Sequence, residues 1–488
     1  MSTIVHQAKK PFGFRNYMEA TLWLLLPLVV IVSIKYNVVY GILFLGAMFI
    51  AIKFLWQYWF LPVLFLVYAA IFPSRHWGES FGVFPFYFYD SLIFIIIIFC
   101  LLVVYYNASF NKKRHISSFI QENTMNILII TYVYYGIFQI IRGLAFGNNP
   151  AYILTEFSQL FMLLGFYIWY YTLSDKNILS WIFYVILLSC FVSIEYAYLV
   201  VSKFTNILDL LIYRPITNHA YIAIVSLPLT LGLFHIKKNI LWRLLLFVFG
   251  FLQVVLIIIS QKRMLWVELV FLFMLFYLLY VIRYGVSIKS IISAISLYAL
   301  YFLFLFGLIY IGAQLLNVDL NIILDRWQGV RSLKDYSLMM RVFDTNRAMK
   351  IMQGNFIFGM GGGSEIRSAG SGYSYRFIDN SFIIALFKGG VIQLALLLAI
   401  YFVGLYRSYQ IYRKAEYVEL RIIGAALFTA IAGIIFSGLT EVSLLYFAHV
   451  YIWMIILAMT VILYERYIIK YNRLNGVYNC DAKGWKRI

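Results

Sequence analysis

Charge is scarce in this chain. Asp, Glu, Lys and Arg make up 12% of its 488 residues, about half the share usual in soluble proteins. Such a composition excludes a water-soluble domain and a disordered chain. Cysteine is scarcer still. Cys100, Cys190 and Cys480 lie far apart, two of them in apolar runs, which leaves neither a disulfide framework nor a metal site. The motifs of soluble enzymes are also missing. There is no Walker-type phosphate loop, no dinucleotide glycine fingerprint after a strand and no His-Glu-x-x-His zinc helix. Nor is there a large cytoplasmic domain to take ATP or a sugar nucleotide. The energy for any synthesis must therefore come from an activated substrate already in the membrane.

What is present is apolar surface and positive charge. The chain is 64% hydrophobic and 20% aromatic, with a mean hydropathy of +0.87 and a formal charge of +19. The basic residues sit between apolar runs, so their first reading is a membrane sidedness code rather than a nucleic-acid surface. A membrane helix needs about 20 apolar residues. Candidate spans fall at 18–34, 38–55, 57–73, 88–106, 123–141, 157–174, 178–201, 219–235, 240–260, 264–282, 290–314, 381–406, 422–440 and 444–464. The fold class is thus an all-α, polytopic integral membrane helix bundle. It has about 14 transmembrane helices, or 12 if the closely spaced first three count as fewer. The organisation reads as an N-terminus over 1–17, a bundle over 18–314, a loop over 315–380, further spans over 381–464 and a tail over 465–488. The basic N-terminus (Lys9, Lys10, Arg15) has no small-residue cleavage site after a short apolar core, and reads as uncleaved.

Alternate loops carry different charge. One set, with both termini, holds 23 Lys and Arg, including Lys112, Lys113, Arg114, Lys237, Lys238, Arg407, Arg413 and Lys414. The other holds 16, nine of them within 315–388. The short-loop bias puts both termini in the cytoplasm. The 66-residue segment 315–380 is then extracytoplasmic, and structureless loops of that length are uncommon unless functional. Asp335 to Met352 has an approximate helical period, with apolar residues at 338, 342, 349 and 352. Arg341, Asp344 and Arg347 fall three apart on it. A glycine-rich stretch follows (Gly354, Gly359, Gly361, Gly362, Gly363), whose N–H groups suit an anion.

Three segments bring Arg to the outer face: Arg214 before the span at 219, Arg263 in the turn Ser260-Gln261-Lys262-Arg263, and Arg341 with Arg347 in the long loop. The guanidinium fork matches phosphate oxygens and stays charged at any working pH. A lipid-linked pyrophosphate is a natural ligand for that set. Snorkelling anchors at helix ends are the competing reading. Glu195, Glu268 and Glu441 lie in or near spans, where an ionisable residue is a functional candidate. Glu268, five residues after Arg263, reads as paired with a basic neighbour, and Glu441 reads as the site residue. His449 reads as a satisfied bundle histidine.

The order of these features resembles the O-antigen ligase and Wzy-type polysaccharide polymerase superfamily of bacterial inner-membrane proteins. The resemblance runs over about 210–400. It rests on Arg214 with Asn218, on Ser260 to Arg263 opening a span, and on the Arg-bearing helix 341–352. It continues through Asn355-Phe356-Ile357-Phe358-Gly359-Met360-Gly361-Gly362-Gly363, then Asp379-Asn380-Ser381 and Phe387-Lys388-Gly389-Gly390. Asp379 stands where the ligases typically carry His, which is more like a polymerase than a ligase.

The resemblance implies glycosyl transfer outside the cytoplasmic membrane. The donor is a glycan on undecaprenyl pyrophosphate and the acceptor a hydroxyl of a second lipid-linked repeat, with no metal and no cofactor. Arg214, Arg263, Arg341 and Arg347 would hold the pyrophosphate, where preorganised cations stabilise the leaving group. Asp379 or Glu441 would act as general base, with Arg341 also counted as catalytic. Asn218 and Asn380 would contact glycan or acceptor. The expected partners are the lipid-linked oligosaccharide, membrane lipids and a chain-length regulator, with no nucleic acid. An O-antigen ligase acting on lipid A-core and a lipid-linked oligosaccharide flippase are the alternatives. Against transport stand the absence of symmetric halves and the long outer loop. A transferase using polyprenyl-monophosphate sugars would need acids in its first large outer loop, which here offers Glu79 alone.

Overall fold

A computed structural model describes residues 124–150, 218–260, 263–284, 336–367, 374–375, 380–440, 447–469, 478–479 and 486–487. It also describes scattered positions in 152–190 and 296–307. All of these lie in one compact unit, Phe65–Ile488. The expected spans at 18–34, 38–55, 57–73 and 88–106, most of that at 290–314, and residues Arg214, Asp379 and Glu441 lie outside the described residues.

The described chain is helical. In order it forms α1 (Thr124–Ala145), α2 (Gly165–Thr172), α3 (Asn218–Ile236), α4 (Ile240–Ile259), α5 (Arg263–Tyr284), α6 (Tyr336–Ile351), α7 (Ser381–Lys414), α8 (Val418–Thr440) and α9 (Phe447–Tyr464), which runs into a π turn at Glu465–Ile469. Two antiparallel pairs of two-residue strands accompany them, Ile366–Arg367 with Ser374–Tyr375 and Tyr478–Asn479 with Lys486–Arg487. Six helical stretches among the described residues are long and apolar enough to cross a membrane. The chain is a membrane-embedded helical protein. Helices suit that medium because each one satisfies its own peptide groups.

Helix α8 is the hub and packs on α3, α5, α7 and α9. Its face is built of small residues, among them Gly424, Ala425, Ala426, Ala430 and Gly433. Gly232 of α3 meets Ala426 so closely that an added Cβ would lie 3.0 Å from the alanine's own. Small residues let helices approach where no hydrophobic effect separates protein from lipid. Between α3 and α4, Thr230 donates to Gln253 Oε1 (3.0 Å) and Gln253 Nε2 donates to the Ser226 hydroxyl (3.1 Å).

The packing fixes which helix ends lie together. The Asn380 side chain caps α7 by accepting from the N–H groups of Phe382 and Ile383, and its Nδ2 donates to the Leu439 carbonyl at the end of α8. Ser437, also near that end, donates to the carboxylate of Glu268 near the start of α5. The start of α8 meets the end of α3 at Gly232. One end of the bundle therefore carries the beginnings of α3, α5 and α7 and the end of α8. The opposite end carries the end of α5, where Tyr412 donates to the Leu279 carbonyl, and the basic run Arg413–Lys414.

Two expectations gain detail. The span expected at 381–406 falls within a 34-residue helix that is broken at Gly390, whose φ of 68° is left-handed. The break divides Ser381–Gly389 from Val391–Lys414, and the second segment alone is about 36 Å long, enough to span the hydrocarbon layer. The loop helix forms as expected, and its apolar residues divide between buried and exposed. Ala348 and Met352 are buried against Ile366, Ile384 and Phe387, whereas Val342 and Met349 are exposed. The fully buried apolar residues of α6 lie in its last turns, while Arg341, Asp344 and Thr345 earlier in the helix are half-buried.

Gly390→Ala should be destabilising. Its Cβ would sit 2.0 Å from the Ile357 carbonyl oxygen, and a left-handed alanine adds strain, about 2–4 kcal/mol together. Thermal unfolding of purified protein should show a clear drop in Tm for this variant. Gly307→Ala, where an added Cβ has nothing within 4 Å, should leave Tm nearly unchanged.

Candidate functional site

A helix broken inside an apolar bundle strands its peptide groups, and each one left unpaired there costs several kcal/mol. In α7 the stranded carbonyls are those of Phe387, Lys388 and Gly389. All three are satisfied from outside the helix. The Met360 N–H donates to Phe387 O at 2.8 Å, the Gly361 N–H to Lys388 O at 2.9 Å, and the Tyr135 hydroxyl to Gly389 O at 2.7 Å. Past the break, the Val391 N–H donates to Phe356 O at 3.1 Å. The segment 356–361 thus lies along α7 as a clamp.

Glycine is required for this approach. A Cβ on Gly359 would stand 2.5 Å from Lys388 O, and Gly361 holds a φ of 81°. The far side of the clamp rests on the end of α1. There the Gly362 N–H donates to Gln139 O (2.8 Å), and Asn148 Nδ2 donates to the carbonyls of Met360 and Gly362. Arg142 donates to Asn355 Oδ1 at 3.0 Å and lies over the rings of Phe146 and Phe358. The expectation that this glycine stretch offers free N–H groups to an anion is corrected. From Gly359 to Gly363 every N–H has a protein acceptor, the last being Glu156.

Glu156 is the centre of the polar site. One carboxylate oxygen accepts the Gly363 N–H at 2.9 Å, and the other pairs with the Lys388 ammonium. Both side chains are about nine-tenths buried. Beside the pair lies a cavity of about 90 Å³, lined by Tyr132, Gln139, Ser381, Gln393 and Trp453 among others. Gln393 Nε2 donates to the Tyr132 hydroxyl at 3.1 Å. Trp453 packs on Tyr401 with ring centroids 4.8 Å apart.

The candidates named from sequence divide by position. Asn218 opens α3, Arg263 opens α5 and Asn380 caps α7. All three stand at the same end of the bundle. Helix α6 joins that end, since Ala348 and Met352 pack on the first segment of α7. It carries Arg341, half-buried, and Arg347, exposed. Glu268 is buried, and the Ser437 hydroxyl lies 2.7 Å from both of its carboxylate oxygens. The residues that build the polar centre, Glu156, Lys388, Gln139 and Gln393, were not singled out. For Lys388 a signal existed. It is a cation inside an expected span beside a Gly-Gly pair, and an intramembrane charge is a functional candidate in its own right.

No family model matches the chain, and no curated protein is detectably similar to it.

The ion pair generates a double-mutant prediction. Lys388→Met leaves the buried Glu156 carboxylate without its cation and should cost about 3–5 kcal/mol. Adding Glu156→Gln removes the uncompensated charge and should recover most of that loss. Tm values of the two singles and the double, measured on purified protein, give the coupling. Additive losses would mean that the two groups do not depend on each other.

Proposed function

We propose that the chain polymerises a bacterial surface polysaccharide, such as O-antigen, capsule or exopolysaccharide. It does so by moving a growing glycan from undecaprenyl pyrophosphate to a hydroxyl of a lipid-linked repeat unit. In this reading it lies in the bacterial cytoplasmic membrane with about fourteen spans, its termini in the cytoplasm and residues 315–380 outside. The observation that carries the reading is the gathering of separate motifs at one end of the bundle. Asn218, Arg263, the Arg341–Arg347 helix and Asn380 come from four helices far apart in sequence, and all four stand at the end that sidedness of charge assigns to the outside. The two glycine motifs, Gly359–Gly363 and Gly389–Gly390, are a single clamp at that same end.

The chemistry follows from those residue types. When the glycosyl–pyrophosphate bond breaks, negative charge builds on the leaving phosphate. Arg214, Arg263 and Arg341, with Arg347 beside them, would stabilise that charge. Asp379 or Glu441 would take the proton of the acceptor hydroxyl as the new glycosidic bond forms. Asn218 and Asn380 would contact the sugars.

One observation favours a second reading. Helices broken near a polar site are a common device of transporters, and α7 is such a helix. A flippase for the same lipid-linked oligosaccharide would move its substrate and leave its length unchanged.

Liposomes holding purified protein and lipid-linked repeat units alone decide the matter. Polymerisation is expected from the wild type, falling by about 10²-fold or more in Arg214→Ala and Arg341→Ala variants that keep the wild-type Tm. Unimpaired variants would remove the arginines from the site. Movement across the bilayer with no lengthening would establish the transporter instead, and lengthening only when lipid A-core is added would establish a ligase.

A further inference from the structure

The cavity beside Glu156 and Lys388 has a pattern of unmet hydrogen bonds that identifies a class of ligand. The ion pair is closed on itself. Lys388 neutralises the carboxylate, and Gly363 takes its second oxygen. What remains unpaired around the cavity is neutral. The side-chain Oε1 atoms of Gln139 and Gln393 are buried and have no hydrogen-bond partner among the described residues, and the same holds for Gln139 Nε2 and the indole Nε1–H of Trp453. All three residues line the cavity. Gln139 and Trp453 are almost wholly buried, at 3% and 1% exposed. A buried polar atom left unpaired costs about 1–3 kcal/mol, and four around one cavity are best met together by a guest.

The complement of two acceptors and two donors is a group whose oxygens both donate and accept, as hydroxyls do. A phosphate brings acceptors to face two carboxamide oxygens, so it is disfavoured. A metal ion or ammonium would meet the Lys388 charge and the indole N–H, so it is disfavoured too. A neutral polyol ring fits. Its hydroxyls donate to Gln139 and Gln393, its oxygen accepts from Trp453, and its carbon face lies on aromatic surface supplied by Trp453 and Tyr132. The cavity is small, with room for about three waters at roughly 30 Å³ each, so it takes one hydroxyl-bearing edge of a single ring and no longer chain.

We propose that this cavity is a binding site for a single neutral glycosyl residue, distinct from any pyrophosphate site. The ligand class follows from the hydrogen-bond pattern. Only the claim that the ring belongs to a lipid-linked repeat rests on the polymerase reading.

The test uses the full chain in lipid nanodiscs prepared without glycoside detergent, probed with methyl hexopyranosides of the gluco, galacto and manno series by saturation-transfer NMR. Transfer from protein to at least one hexoside is expected. Gln139→Leu and Trp453→Phe should each weaken it at least about tenfold, the equivalent of one good hydrogen bond. Thermal unfolding accompanies each variant. Gln139→Leu removes two unpaired polar atoms from a buried position, so its Tm should hold or rise while binding falls. No transfer to the wild type, equal transfer to the folded variants, or displacement of the hexoside by inorganic phosphate would each overturn the proposal. The readout needs no turnover. A protein that binds hexosides in this way but does not lengthen lipid-linked repeats keeps this site and loses the polymerase reading.

Discussion

An interrupted helix in an apolar medium must find new partners for its peptide groups, and the described structure is organised around one such interruption. At Gly389–Gly390 the ladder of α7 stops and restarts. Three carbonyls on one side and an N–H on the other would be stranded there. Met360, Gly361, Tyr135 and Phe356 take them up. That requirement explains why 356–361 lies against α7, and why glycine occupies the positions where the two backbones meet. It also explains why the clamp is itself anchored. Gln139, Asn148 and Arg142 at the end of α1 hold the loop that holds the helix. Removing any of these contacts exposes peptide groups in a place where water cannot replace them.

The break also allows a lysine to be buried. Lys388 precedes the interruption, and the docked loop brings the Gly363 N–H to the same carboxylate that pairs with the lysine. One cation and one N–H donor close on Glu156, so a costly buried pair becomes tolerable. Around it stand the amides of Gln139 and Gln393 and the rings of Tyr132 and Trp453, with a cavity in their midst. A polymerase acting on lipid-linked sugars, or a carrier of them, would find both an apolar frame and a polar recess in this arrangement.

Much of the frame was legible in the residue pattern. The expected spans at 219–235, 240–260 and 264–282 lie within two residues of α3, α4 and α5 at either end, because uninterrupted apolar runs in lipid have helix as their only economical form. The loop helix was legible too, from the period of Asp335 to Met352. Which of its residues are buried was not, because that depends on the packing of Ala348 and Met352 against Ile366, Ile384 and Phe387. The role of the glycine-rich stretch was misread for a related reason. Free N–H groups and clamped ones have the same sequence, and only the neighbouring helix distinguishes them. Arg142 likewise counted as one more charge by sidedness, whereas in the fold it fixes Asn355.

By itself the sequence determined that this chain lives in a membrane, that it is helical and, for α3, α4 and α5, where the helices begin and end. These follow from local quantities: apolar content over a window, the spacing of charge and the position of glycine. The tertiary structure decided what the polar minority does. Glu156 and Lys388 are 232 residues apart, and no local pattern links them. Their pairing depends on α7 breaking where it does and on a loop from elsewhere filling the break. The low-dielectric interior then makes partnership obligatory for every buried polar group, and the identity of each partner is a property of three-dimensional packing alone.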